Sequence, residues 1–329
     1  MKITIVTLAL FLTLFMSCQT GHKEKTTANL NTTEKFTSNV YPDLVALFKE
    51  WRTFEKPPLL NGAPDYTSET FENRWSEFKE LQSGLQSIDT TNWPVENQVD
   101  WMIVWAEMNG YDFNHRILQP WARDPAFYKS VWSYRSDVPA HEGPTHHGTT
   151  ELWTYTFPLS TKERTRFLTD LKVIVPLNNQ AKKNLTGNAR DLWITGIRDI
   201  QYQSVELNDL KKLTSIKDDV ALVSLIDEAI ASTNDFVSWL QAQSISKTGS
   251  SGIGKDNYNW YLQNVHLVPL TWDDEVMILK RELARAWTSL KLEEHRNRNL
   301  PELVDAGSIE AYNKMADEAA KSLITFLDQ

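Results

Sequence analysis

Cysteine is nearly missing from this chain: Cys18 is the only one. No disulfide can form within one molecule, so the fold must be held by its apolar core. No thiol stands in the body for nucleophilic work, and no Gly-x-Ser-x-Gly segment marks a hydrolase serine. Basic residues are outnumbered, 34 against 43 acidic, for a formal net charge of -9. That balance excludes a general nucleic-acid binder, which needs a basic footprint. No stretch alternates polar and apolar residues over useful strand length. No apolar run reaches the roughly 20 residues needed to span a bilayer. Neither an internal repeat nor a second domain boundary is visible.

What is present suits a folded domain. The hydrophobic fraction is 41% and the charged fraction 23%, both ordinary for a globular protein. The first residues read as a targeting segment. Lys2 supplies the positive start, Ile3 to Met16 is a short apolar run, and Ser17 is a small residue before Cys18. A lone cysteine there resembles a lipobox, with Phe15 where leucine is more usual. Residues 1–17 are therefore expected to be a lipoprotein signal peptide. Lipid on Cys18 would tie the exported chain to the cell envelope, at the outer membrane or the periplasmic face of the inner one. Without Lys2 the mature chain carries 33 basic and 43 acidic residues, or -10. Residues 18–40, rich in Thr, Lys, Asn and Glu, read as a flexible tether.

Residues 41–329 read as one all-α domain, an irregular multi-helix array. Leu44, Leu47, Phe48 and Trp51 share a helix face, and Phe71, Trp75, Phe78, Leu81 and Leu85 share another. Trp93 to Leu118 is predicted as a long buried helix marked by Val99, Met102, Ile103, Ala106 and Tyr111. Pro120 to Gly148 is the longest irregular stretch. Ser160 with Glu163, and Thr271 with Asp274, form capping boxes that open helices. Asn188 to Leu213 and Lys217 to Gln243 are two more helices, separated by a Gly/Ser loop from the segment after Lys255. The helix from Thr271 to about Glu294 carries the stripe Val276, Leu279, Leu283, Trp287 and Leu290. After Pro301, Ser308 to Leu327 is a last amphipathic helix. Its stripe through Ile309, Tyr312, Met315, Ala319, Leu323 and Leu327 must bury against something.

Four constellations are candidates for chemistry. His141, Glu142, His146 and His147 are the densest group of metal-ligand types. His141 and His146 are five residues apart, so on a helix they would point roughly 140° apart, and Gly143 and Pro144 disfavour a helix there. A loop could still gather them round a metal, although a solvent-facing loop is the simpler and favoured reading. Gly249 to Lys255 resembles a phosphate-binding loop, but Asp256 stands where Ser or Thr is needed and a helix precedes it. Tyr258, Trp260 and Tyr261 follow that loop and are the better groove candidates among the aromatics, though a core role is favoured even for them. Trp75, Trp105, Trp239 and Trp287 lie on helical stripes and are assigned to the core. The pairs Asp218-Asp219 and Asp273-Asp274 belong in first turns of helices, where they complement the dipole. Glu282 and Arg285 lie near the apolar face of the long helix as either a buried or a surface pair, and join the groove candidates for substrate binding.

Several stretches resemble the domain of unknown function 885 family. They are Trp93-Pro94-Val95 with Gln98-Val99-Asp100, Arg116 to Tyr128 (RILQPWARDPAFY), Glu151 to Leu159 (ELWTYTFPL), Asn184 to Trp193 (NLTGNARDLW), Ser246 to Leu262 (SKTGSSGIGKDNYNWYL) and Leu292 to Pro301 (LEEHRNRNLP). The resemblance runs from about residue 41 over essentially the whole body. It implies the fold of the N-terminal part of a helical, zincin-like peptidase. That family's metal motif, H-E-x-x-P-G-H, belongs to a C-terminal half and is not found here, so no metal ligand carries over and zinc is expected only with such a half.

Three functions follow from this reading. The chain could be the half of a zinc-peptidase-like scaffold that lacks the metal, completed by a separately encoded C-terminal half. It could be a tethered module that binds peptide or glycan through aromatic side chains. It could be a metallohydrolase that uses the His141 loop.

Overall fold

The computed structural model describes residues 39–134, 148–300 and 305–328. The expectations for residues 1–38, Cys18 included, lie outside them. Helix accounts for 71% and strand for 3% of the described residues, so the chain is all-α. Among these residues no helix is long and apolar enough to cross a membrane.

The first layer is built from α1 (Tyr41–Phe54), α2 (Ser68–Ser87) and α3 (Val95–Phe113). Pro42 starts α1 in the first turn, where a missing N–H costs nothing. Leu44, Leu47, Trp51 and Phe54 recur at helical spacing and are all buried. They meet Phe78, Leu81 and Leu85 of α2 and Val104 and Met108 of α3. Each such side chain contributes roughly 1.5–3 kcal/mol through its burial. Between α1 and α2 the chain makes a short antiparallel pair, β1 (Leu59–Leu60) with β2 (Ala63–Pro64), turned by Asn61 and Gly62 at positive φ.

The buried face of α3 differs from the sequence expectation. Val99, Met102 and Ile103 are 50%, 40% and 49% exposed, whereas Val104, Ala106, Met108 and Phe113 are buried. Trp101 and Trp105, four apart and packed on the α1–α2 core, decide which side turns inward. The aliphatic residues a quarter-turn or more away are left outside. The helix also does not run on unbroken to Leu118. It loosens into a π-helical turn, Asn114–Leu118, and Gln119 takes a left-handed conformation before the short α4 (Pro120–Arg123).

The second layer comprises α5 (Thr161–Leu171), α6 (Ile174–Asn184), α7 (Arg190–Lys212) and α8 (Val220–Ser244). The predicted Ser160–Glu163 box opens α5. Helix α8 begins at Val220, three residues later than predicted, because Asp219 caps it; Asp219 also receives a two-pronged ion pair from Arg164. One core gathers Trp121, Tyr128, Trp193, Ile200 and Phe236, and another Phe167, Leu171, Ile174, Leu207 and Ile226. A two-residue parallel pair, β3 (Val131–Trp132) with β4 (Thr150–Glu151), runs beside α7.

Candidate binding groove

Three further helices complete the described chain: α9 (Lys255–Asn264), α10 (Trp272–Arg296) and α11 (Ile309–Leu327). Gly254, at φ +82°, makes the turn into α9, a conformation that side-chain-bearing residues rarely adopt. Two aromatic residues anchor α9 to the first layer. Trp260 stacks on Phe113 at 5.5 Å and 9°, and Tyr261 meets the same ring at 4.9 Å. Arg116 lies over the Trp260 ring and pairs with buried Asp112, which also takes Lys79. The Asn109 amide donates to the Asn264 carbonyl at 3.1 Å.

The capping box of Thr271 and Asp274 starts α10, as the sequence predicts. The Trp272 amide donates to Asn259 Oδ1 at 2.8 Å, which sets the angle between α9 and α10. A groove of about 600 Å³ lies between them, lined by Ile253, Lys255, Tyr258, Trp272, Val276 and Leu279, with Glu275 and Gly254 completing its wall. That volume suits a small ligand or a short stretch of peptide. The Tyr258 hydroxyl donates to Glu275 Oε2 at 2.6 Å. This bond, more than partial desolvation or the nearby charge, raises the Tyr258 hydroxyl above its ordinary pKa. Lys255 Nζ lies 2.5 Å from Asp273 Oδ2 and 4.7 Å from the centre of the Trp272 ring.

The structure sorts the sequence candidates. Tyr258 faces the groove, whereas Trp260 and Tyr261 are spent on holding α9 in place. Glu282 and Arg285 form an exposed pair at 2.7 Å on the outside of α10, away from the groove lining. Such pairs contribute little, about 0–1 kcal/mol. Trp75 stacks on His115 at 3.9 Å and packs on the first core, but Trp287, assigned to the core by its stripe, is 55% exposed. The reason is that α10 packs chiefly against α9 and buries none of its own residues. His141, Glu142, His146 and His147 lie outside the described residues. Among the described residues no three His, Cys, Asp or Glu side chains sit close enough to share a metal ion. Sequence reasoning missed Lys255, Trp272 and Glu275 as groove residues. The available signal was Trp272 directly after a capping threonine, an aromatic at a position that cannot reach the interior.

The apolar stripes of α10 and α11 are bare. Met277, Leu279, Leu283, Trp287, Leu290 and Leu292 are exposed on α10, and Ile309, Tyr312, Met315, Leu323, Phe326 and Leu327 on α11. Monomeric proteins rarely expose contiguous apolar patches above a few hundred Å².

Comparison with protein-family profiles, with curated proteins and with solved structures finds no match for this chain.

Proposed function

We propose that this chain is the half of a zinc-peptidase-like assembly that supplies a substrate wall and a docking surface rather than the catalytic metal. It is tethered to the cell envelope through lipid on Cys18. The observation that carries this reading is the pair of uncovered apolar faces on α10 and α11. Several charged side chains of these helices pair within the same helix, as in Lys291–Glu294, Arg296–Glu293 and Lys321–Asp317. The apolar area beside them has no such internal partner. A second, helical unit with an apolar face would cover it, and α9 with α10 would then line one side of a cleft between the two units. The resemblance over residues 41–329 supports the same division of labour.

A second reading is a free-standing module that binds peptide or glycan. It is favoured by Tyr258 and Trp272 opening into the groove. Both readings hold that the chain alone is not a metallopeptidase. The test is metal content and peptide hydrolysis by the purified mature chain. The expected result is no stoichiometric zinc and no chelator-sensitive hydrolysis. One zinc per chain together with hydrolysis that a chelator abolishes would overturn both readings and return attention to His141, His146 and His147.

A further inference from the structure

We infer that the α9–α10 groove takes a peptide segment in which a basic side chain stands between apolar ones, its cation held at Glu275 and its apolar neighbours on Ile253, Val276 and Leu279. This deepens the wall reading above and rests on it for the peptide nature of the ligand.

The charge distribution decides the sign. Lys255 and Glu275 line the groove, and Asp256, Asp273 and Asp274 adjoin them in the chain, so Lys255 is the one cation among these five residues. Lys255 is already matched by Asp273. Asp274 is used by the Thr271 cap. Glu275 is held by the neutral Tyr258 hydroxyl through Oε2, and no ion pair to it is formed among the described residues. One carboxylate lining the groove thus has a hydrogen-bond partner that orients it but no cationic partner among the described residues. A bound ammonium or guanidinium would gain a charge-assisted hydrogen bond there. The acidic first turn also complements the α10 dipole, so it is stable with no ligand present.

The protein itself shows what the neighbouring corner accepts. The Lys255 ammonium rests between the Trp272 ring and Asp273, a pairing of aromatic face and carboxylate that attracts cations. Lys255 therefore acts as an internal competitor, because it lines the same groove as Glu275 and its charge opposes an incoming cation. Removing that charge should tighten binding of a basic ligand, whereas removing the Glu275 charge should weaken it. A groove that bound by apolar contact alone would respond to neither.

The experiment is calorimetric titration of the full mature chain at low salt with three probes: acetyl-Leu-Lys-Leu-amide, acetyl-Leu-Gln-Leu-amide and acetyl-Leu-Glu-Leu-amide. The lysine peptide should bind about tenfold more tightly than the glutamine one, as one charged hydrogen bond predicts. The glutamate peptide should bind weakest. Glu275→Gln should erase the preference, and Lys255→Gln should widen it severalfold. Neither change touches the core, and unchanged unfolding curves would verify that. If the lysine and glutamine peptides bind alike, or if Lys255→Gln weakens the lysine peptide, the cation assignment is overturned and the wall reading stands. If no peptide binds even at millimolar concentration, both fall.

Discussion

Gly249 lies against Asn188 so closely that a Cβ added to it would stand 2.3 Å from the Asn188 carbonyl oxygen. The Asn188 side-chain oxygen accepts from the amides of Thr248 and Gly249, at 2.8 and 2.7 Å. Ser251 Oγ accepts from the amides of Asp191 and Leu192, at 2.9 and 3.2 Å. Helix α7 has no cap of its own, so this loop caps it from 60 residues away. The segment that resembles a phosphate-binding loop has turned these groups onto a helix end.

Two substitutions test that closure. Gly249→Ala forces backbone apart and should cost about 1–3 kcal/mol, the range for overpacking. Ser251→Ala should cost about 1 kcal/mol, as for loss of a helix cap. Urea unfolding reads both as a lower midpoint with an unchanged slope. A Gly249→Ala protein as stable as the parent would show that the loop does not press on Asn188 in solution.

A buried ion pair fastens β3 to α7. Lys129 and Glu206 approach to 3.4 Å with side chains 6% and 7% exposed. Ser133 donates to Glu206 at 2.7 Å, and the Lys129 ammonium lies over the Trp132 ring. Lys129→Met would leave a buried carboxylate without its counter-charge and should destabilise by about 3–5 kcal/mol. Adding Glu206→Gln should recover much of that loss. A double-mutant cycle measures the coupling, and a Lys129→Met loss under about 0.5 kcal/mol would mean that water reaches the pair.

Asp124 carries a pH dependence of unusual sign. Burial pushes its carboxyl up to about 6, against the hydrogen bond from the Ala126 amide, with the charge of Asp199 adding to the rise. Its folded pKa thus lies above the ordinary value of 3.8. Between about pH 4 and 6 the folded chain binds the extra proton. Its contribution to stability therefore falls as pH rises through that window. Asp124→Asn mimics the neutral form and keeps an oxygen for Ala126. It should stabilise the protein by about 2 kcal/mol at pH 8 and by little at pH 4. Thermal unfolding across this range checks it, and equal stabilisation at both ends would remove Asp124 as the source.

Local chemistry was readable in the sequence, and long-range choices were not. Both capping boxes form as predicted because each needs only four consecutive residues. The face of α3 was misassigned because aliphatic residues were counted equally with Trp101 and Trp105, whose larger area outweighs them. Trp260 and Tyr261 have the same composition signal as Tyr258. Only the position of Phe113 on another helix separates anchors from groove. Ser251 as the cap of α7 has no local signature at all. The uncovered stripe of α11, in contrast, was fully legible, since a 3.6-residue period survives whether or not a partner is present.

The stripes on α10 and α11 give the last prediction. A residue that packs in the body pays for its removal, whereas one that awaits a partner does not. Leu283 and Leu323 are 58% exposed each, and neither belongs to a core cluster. Changing both to Lys should therefore alter unfolding free energy by no more than about 0.5 kcal/mol, the usual bound for surface sites. The same change should sharply reduce binding of an apolar dye such as ANS and lower the chain's tendency to associate, because it places charge in the middle of each patch. Urea unfolding, dye fluorescence and light scattering separate the two effects. A loss of several kcal/mol would place the stripes inside the folded body in solution, and the docking surface would then have no basis.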